Sequence, residues 1–145
     1  MHAIRTEIDI DASPARVWTV LTDFGAYPDW NPFFTSVTGR AEVGQQLVAT
    51  VRPNGGAGIT FKPTVLKVDK DKEFRWRGKL LVPGLFDGEH YFTMEPKAAG
   101  GTRFVHGEHF SGLLVGLAKS TLDKGTKNAF IAMNKALKVR AESAP

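Results

Sequence analysis

The last third of the chain, residues 112–141, constrains the fold most, because apolar residues recur there at helical spacing. On a helical wheel, one stripe of large side chains consists of Leu122, Phe130, Met133 and Leu137. A stripe of small side chains beside it consists of Ala118, Thr121, Gly125, Ala129, Ala132 and Ala136. The run predicts a long amphipathic helix that lays one face on an apolar surface. The small stripe either lets a partner approach closely or leaves space open.

The composition indicates one globular domain over residues 1–145, with 42% hydrophobic and 23% charged residues. The chain has no cysteine, so disulfides and thiolate chemistry are excluded. The net charge is +4, but basic residues alternate with acidic ones, as in residues 67–73, so we do not expect nucleic-acid binding. The start of the chain lacks the apolar core of a signal peptide, and no apolar run approaches ~20 residues. We therefore expect a cytoplasmic protein with no membrane span.

The N-terminal part predicts a strand followed by short helices. Apolar residues alternate with charged ones over residues 4–10, which is typical of a half-buried strand. Ser13 and Pro14 then form a helix start, and Gly25 is predicted to end this helix. The two prolines within residues 27–32 predict a tight connector or a one-turn helix.

Between residues 33 and 111, alternating apolar patterns separated by Gly- and Pro-containing breakers predict strands. These predicted strands are 33–39, 45–52, 59–69, 73–81, 88–95 and 102–111. Short connectors imply an antiparallel meander, and about seven strands tend to curl. The predicted class is therefore α+β: a curved antiparallel sheet around the C-terminal helix, with two short helices after the first strand.

Four stretches, residues 10–18, 21–32, 74–78 and 134–138, support a resemblance that covers nearly the whole chain. In them the chain resembles the SRPBCC superfamily, in the polyketide cyclase/dehydrase-like branch that also includes START lipid-transfer domains and plant hormone receptors. This resemblance implies the helix-grip fold. It also implies an apolar ligand in a cavity between the sheet and the helix, with catalysis in only some members.

Strand alternation predicts which side chains face that interior. In the strand at 73–81 they are Phe74, Trp76, Gly78 and Leu80. In the next strand they are His90, Phe92 and Met94, and in the last they are Thr102, Phe104, His106, Glu108 and Phe110. The predicted hairpin register sets Phe92 opposite His106 and His90 opposite Glu108, and a shift by two residues clusters the same side chains.

We therefore predict an aromatic interior that binds or carries a lipid, polyketide, aromatic or isoprenoid molecule. The predicted walls are Trp30, Trp76, Phe92, Phe104, Phe110 and Met133. The predicted polar end consists of His90, His106 and Glu108, where a buried carboxyl group needs a partner, a proton or water. Leu85 and Phe86, on a predicted turn, either gate the entrance or cap the edge of the core.

Two other functions stay open. A cyclase or dehydratase would use His90 or His106 as the base with Glu108 as its partner. A protein-interaction module would have a collapsed pocket and would dock a partner through the turn at Leu85 and Phe86. The histidines also fit a purely structural role, with satisfied nitrogens in the core. The four histidines show no zinc spacing, so neither a metal nor a cofactor is expected.

Overall fold

The computed structural model describes residues 2–52, 58–80, 86–112, 115–116 and 125–143. The helices within these residues are α1 (Pro14–Thr22), α2 (Tyr27–Trp30) and α3 (Lys127–Glu142). The strands are β1 (His2–Ile10), β2 (Phe34–Thr38), β3 (Val48–Val51), β4 (Ile59–Phe61), β5 (Thr64–Asp69), β6 (Glu73–Leu80), β7 (Phe86–Pro96) and β8 (Thr102–Ser111). No helix in this described part is long and apolar enough to cross a membrane.

The strands form two antiparallel sheets around α3. The larger sheet has the order β1-β8-β7-β6-β5, and the smaller one has the order β2-β3-β4. Backbone hydrogen bonds from the segment 44–47 to Pro63 and Val65 connect the sheets. Helix α3 packs across β1 and β8 and also contacts α1 and α2. The predicted α+β class and helix-grip arrangement are confirmed.

The sequence signals at the N-terminus act as predicted, with one exception. The hydroxyl oxygen of Ser13 accepts a hydrogen bond from the backbone N–H of Arg16, at 3.2 Å, and caps α1. The prediction that Gly25 ends this helix is wrong. The helix ends at Thr22, because the backbone of Asp23 leaves the helical region, and a 3-10 turn follows over Phe24–Ala26. Helix α2 is the one-turn alternative predicted for residues 27–32.

The predicted strand 59–69 is divided into β4 and β5, so the chain has eight strands in the described residues. The break falls at Lys62 and Pro63, where proline has no N–H to donate to a ladder. The carbonyl of Pro63 instead accepts from the backbone N–H of Leu47, at 2.8 Å. The larger sheet therefore continues through residues 44–47, and β4 pairs only with β3.

The large apolar stripe of the C-terminal helix faces the core as predicted. Phe130, Met133 and Leu137 are fully buried. The small stripe does not mark the contact face: Ala132 is exposed, and Ala129 is only half-buried. The helical period places the small stripe beside the buried face. Asn134 and Ala141 are buried residues of this helix. Ala118, Thr121 and Leu122 lie outside the described residues.

The C-terminal end of α3 is attached to the start of the chain. The guanidinium of Arg16 donates to the carbonyl of Ala141, at 3.2 Å, and to that of Arg140, at 3.3 Å. The ammonium group of Lys138 donates to the carbonyl of Asp9, at 3.0 Å. These bonds join the C-terminal part of α3 to α1 and to β1.

Candidate functional site

The predicted interior face of the last hairpin is confirmed. His90 and Phe92 on β7 and Phe104 and His106 on β8 are all buried. The register sets Phe92 opposite His106 and His90 opposite Glu108, as the alternation predicts. Both histidines therefore point between the sheet and α3, and not to solvent.

These side chains form a continuous series of close polar contacts, which we call the polar line: Glu108, His90, His106, Asn134 and Thr6. Glu108 Oε1 lies 3.2 Å from His90 Nδ1, and the Nε2 atoms of His90 and His106 lie 2.6 Å apart. His106 Nδ1 lies 2.9 Å from Asn134 Oδ1. The amide nitrogen of Asn134 donates to the Thr6 hydroxyl, which donates to the carbonyl of His106, each at 2.8 Å.

The polar line crosses four elements, so it joins the helix to the sheet. Thr6 lies on β1 directly opposite His106 of β8. Asn134 lies on the buried face of α3, one helical turn after Phe130. Sequence reasoning missed both Asn134 and Thr6 as site residues. The available signal was a polar residue at an inward position: Thr6 alternates between isoleucines, and Asn134 keeps the helical period of the apolar stripe.

Aromatic rings enclose the two histidines. The ring of Phe130 stacks on His106, with centroids 4.0 Å apart and planes 9° apart, and lies 5.0 Å from His90. Phe34 and Trp76 contact His90 at centroid distances of 5.2 and 5.5 Å. Over this length of α3, these rings occupy part of the space between sheet and helix, where the resemblance implies a cavity. The two histidines are therefore embedded among aromatic side chains.

This environment favours the uncharged form of every titratable member of the polar line. Burial lowers the pKa of His90 to about 3. Burial, and secondarily the neighbouring His90, place the pKa of His106 well below its usual range. Burial raises the pKa of Glu108 to about 8, against a smaller lowering effect of His109. At neutral pH the line therefore holds two neutral imidazoles and a protonated carboxyl group.

Two opposed glycines leave room for larger side chains, Gly88 for that of Glu108 and Gly78 for that of Phe61. Gly78 on β6 lies opposite Gly88 on β7, and both are buried on the inward face. A Cβ atom at Gly88 would lie 2.1 Å from Glu108 Oε2, and one at Gly78 would lie 3.0 Å from the ring of Phe61. The carboxyl group thus occupies room that only glycine leaves free. Oε2 has no hydrogen-bond partner among the described residues, and the Glu108 side chain keeps 16% of its surface exposed.

The structure brings most of the predicted site residues together in this interior. They are Trp76, His90, Phe92, Phe104, His106, Glu108 and Phe110, with Met133 buried on α3. Trp30 does not join them. Its ring contacts Tyr27, at 5.2 Å, and it lines an outer groove of about 420 Å³ together with Arg16 and Arg140. This groove lies between α1, α2 and the end of α3.

The predicted gate cannot be followed in the same way. Leu85 lies outside the described residues. Phe86 is the first residue of β7, and its backbone pairs with Leu80. It therefore belongs to a strand and not to the predicted turn.

The geometry limits what the histidines can do chemically. Both ring nitrogens of His106 and Nε2 of His90 make hydrogen bonds, and His90 Nδ1 lies 3.2 Å from Glu108 Oε1. Direct proton abstraction by either imidazole would first require one of these contacts to break. The outward group of the polar line is Glu108. Within the described residues, no group of three or more His, Cys, Asp or Glu side chains could hold a metal ion.

A sheet wrapped around a C-terminal helix, with one polar line in an aromatic interior, defines a helix-grip domain of the SRPBCC superfamily. Residues 1–142 match the family described as polyketide cyclase / dehydrase and lipid transport, and the chain belongs to this family. A comparison with curated proteins returned no match.

Several solved structures have the same fold at low sequence identity. The aromatase/cyclase Zhui from Streptomyces sp. R1128 has a TM-score of 0.79 at 20% identity, over 97% of this chain and 93% of that one. A START superfamily protein from Mycobacterium smegmatis has a TM-score of 0.70 at 21% identity, over 98% of each chain. The di-domain ARO/CYC BexL from the BE-7585A biosynthetic pathway has a TM-score of 0.79 at 16% identity. The match covers 99% of this chain but spans only 51% of BexL.

Proposed function

We propose that the protein binds a small, largely apolar molecule, such as a lipid, polyketide, aromatic or isoprenoid compound. The observation that carries this proposal is the position of Glu108. It is the partly exposed end of the polar line, and its carboxyl group lies over Gly88. A ligand at this end has aromatic walls and one polar group, which is the usual design of a small-molecule site.

The binding energy would come mainly from apolar contact. Removing apolar ligand surface from water contributes ~25 cal/mol per Å², and the single carboxyl group orients the ligand. The family description includes both lipid transport and polyketide cyclisation, which supports a hydrophobic ligand. Because Phe130 fills the space along α3, we place the ligand at the Glu108 end of the interior.

The test uses β-naphthol as the probe and isothermal titration calorimetry as the measurement. In Gly88→Leu, the new side chain takes the room of the Glu108 carboxyl group, and we expect affinity to fall about tenfold or more. Gly25→Ala is the matched control, because nothing lies within 4 Å of its added Cβ. Equal affinity in Gly88→Leu and in the unsubstituted protein, with an unchanged circular dichroism spectrum, would contradict this placement.

A second candidate is a cyclase or dehydratase, and the protonated Glu108 is the observation that favours it. A neutral acid beside a histidine pair can donate a proton to a ketone oxygen as a ring closes. Solved neighbours of the fold include proteins described as aromatase/cyclases. Here the acid would be Glu108, and the carboxylate so formed would take up the proton that the attacking carbon loses.

Glu108→Gln separates the two candidates, because glutamine keeps the shape of the acid but has no transferable proton. A binding protein keeps its affinity for β-naphthol. A cyclase loses product formation by at least about a hundredfold when a linear poly-β-ketone is incubated with it and followed by mass spectrometry. If the unsubstituted protein forms no cyclised product under the same conditions, the enzyme candidate fails.

A further inference from the structure

The direction of every proton in the polar line can be worked out from one fixed acceptor. The backbone carbonyl of His106 can only accept, so the Thr6 hydroxyl donates its single proton to it. The Thr6 oxygen must then accept from Asn134, which therefore turns its amide nitrogen toward Thr6. The amide oxygen of Asn134 consequently faces His106 Nδ1. This orientation follows from which groups can donate a hydrogen bond and which can only accept one.

The donor and acceptor roles of the imidazole nitrogens are fixed in the same way. His106 Nδ1 must donate to the amide oxygen of Asn134, so a neutral His106 has a lone pair at Nε2. His90 therefore donates from its Nε2, which leaves a lone pair at its Nδ1. Glu108 Oε1 lies 3.2 Å from that nitrogen, so a hydrogen bond between them needs the proton on Glu108. All bonds of the line then run in one direction, from Glu108 to the carbonyl of His106.

The alternative is an ion pair, in which Glu108 is a carboxylate and His90 carries both ring protons. That state would place a full positive charge on a ring that is 2% exposed and surrounded by aromatic rings. The residues near Glu108 offset this cost only in part, because the lowering effect of His109 on the pKa of Glu108 is smaller than the raising effect of burial. Gly88 lies beside it on β7, Ile4 lies opposite it on β1, and His109 follows it on β8. The raised pKa of Glu108 and the lowered pKa of His90 agree with the neutral state.

The proton on Oε1 determines what the other carboxyl oxygen can do. Oε2 is then the carbonyl oxygen of a neutral acid, which accepts hydrogen bonds and does not donate them. It lies over Gly88 and has no partner among the described residues. A hydroxyl group of a ligand can donate to it. An ether oxygen cannot, and a carboxylate would meet it acceptor to acceptor.

We propose that Thr6 and Asn134 act as positioning residues that hold Glu108 as a neutral acid, so that the site selects uncharged aromatic molecules bearing a hydroxyl group. This inference rests on the proposed binding function and adds the chemical class of the ligand. It also gives the histidines a defined part: they transmit the orientation of the Asn134 amide to Glu108 and do not contact the ligand.

The binding test compares three probes of one shape at about pH 6.5: β-naphthol, its methyl ether and β-naphthoate. We expect β-naphthol to bind about tenfold or more tightly than either of the others, because only it can donate to Oε2. Glu108→Gln should keep this preference, since its amide nitrogen can donate to His90 while its oxygen faces outward. Glu108→Leu should lose the preference and still bind the ether.

Thr6→Val tests the positioning role. Without the hydroxyl anchor, the amide of Asn134 can turn over, which reverses the line and places the Glu108 proton on the outward oxygen. We expect the ratio of β-naphthol to ether affinity to fall about threefold or more, while affinity for the ether stays within about twofold. A purely structural role of Thr6 would lower both affinities together and leave the ratio unchanged.

Isotope-labelled nitrogen NMR of the unliganded protein tests the proton order without any ligand. We expect His90 to carry its proton on Nε2 and His106 to carry its proton on Nδ1. The opposite pair of tautomers, or an imidazolium at His90, overturns the inference. Equal affinities for β-naphthol and its ether overturn the hydroxyl selectivity but leave the binding function intact. Absence of binding for all three probes, with the expected tautomers present, overturns the proposed function for aromatic ligands and the selectivity with it.

Discussion

As the pH rises from about 5 to about 8, the stability of Glu108→Gln relative to that of the unsubstituted protein is expected to increase by about 4 kcal/mol. The pKa of Glu108 is about 8 in the folded chain, against an ordinary value of 4.5. Within this interval the folded protein keeps the proton and the unfolded chain has lost it. Unfolding therefore releases a proton, and the free energy of unfolding falls as the pH rises. Glutamine does not titrate, so the variant lacks this loss.

The contribution of the two histidines should be the same in both proteins. The pKa values of His90 and His106 are lowered by burial, so below the ordinary value of 6.5 the unfolded chain takes up protons that the folded chain does not. Their contribution to stability is present above pH 6.5 and is lost as the pH falls toward the folded-state pKa of His90, about 3. The unsubstituted protein should therefore be most stable near pH 6.5, and Glu108→Gln should show a plateau above it.

Urea unfolding at a series of pH values measures this difference. Glu95→Gln is the control, because Glu95 is an exposed glutamate on the neighbouring strand β7, and its replacement should change stability by less than about 0.5 kcal/mol at every pH. Parallel pH profiles for Glu108→Gln and the unsubstituted protein would show that Glu108 is ionised in the folded chain. The proton order assigned to the polar line would then be wrong.

Phe130→Ala is expected to lower the free energy of unfolding by about 3–5 kcal/mol. The ring is fully buried, stacks on His106 at 4.0 Å and lies 5.4 Å from Phe33, so its removal leaves a hole between α3 and the sheet. Water that enters this hole would solvate the histidine pair. The pKa of His106 should then rise toward its ordinary value, and the acid side of the pH profile should become shallower.

Val139→Ala is the matched control on the same helix, because Val139 is 68% exposed and its truncation should cost less than about 0.5 kcal/mol. Chemical denaturation gives the free energies, and NMR titration gives the histidine pKa values. A loss below about 1 kcal/mol in Phe130→Ala would mean that the helix does not pack on His106 as described.

Local sequence signals predicted a large part of this fold. The Ser13–Pro14 start of α1 and the inward faces of β7 and β8 follow from capping chemistry and from the period of a strand, which act within a few residues. The same period placed His90 beside His106 and opposite Glu108, so most of the candidate site was predicted as well.

The rest depends on contacts between distant segments. Thr6 and Asn134 meet His106 only after β1, β8 and α3 have packed together, and neither residue type indicates burial. The small stripe of the C-terminal helix did not indicate the buried face, for a related reason. A wheel shows which residues share a face, but the packing of Phe130 and Leu137 decided which face was buried, and this left Ala132 exposed.

The opposed glycines of β6 and β7 have a consequence for how relatives of this domain diverge. Gly78 and Gly88 sit in the middle of a ladder whose hydrogen bonds run through the main chain, so a larger residue at either position leaves the strand pairing intact. What changes is the room beside the acid at position 108, or beside the ring of Phe61. Single replacements at these two paired positions can therefore reshape this part of the interior without redesign of the scaffold.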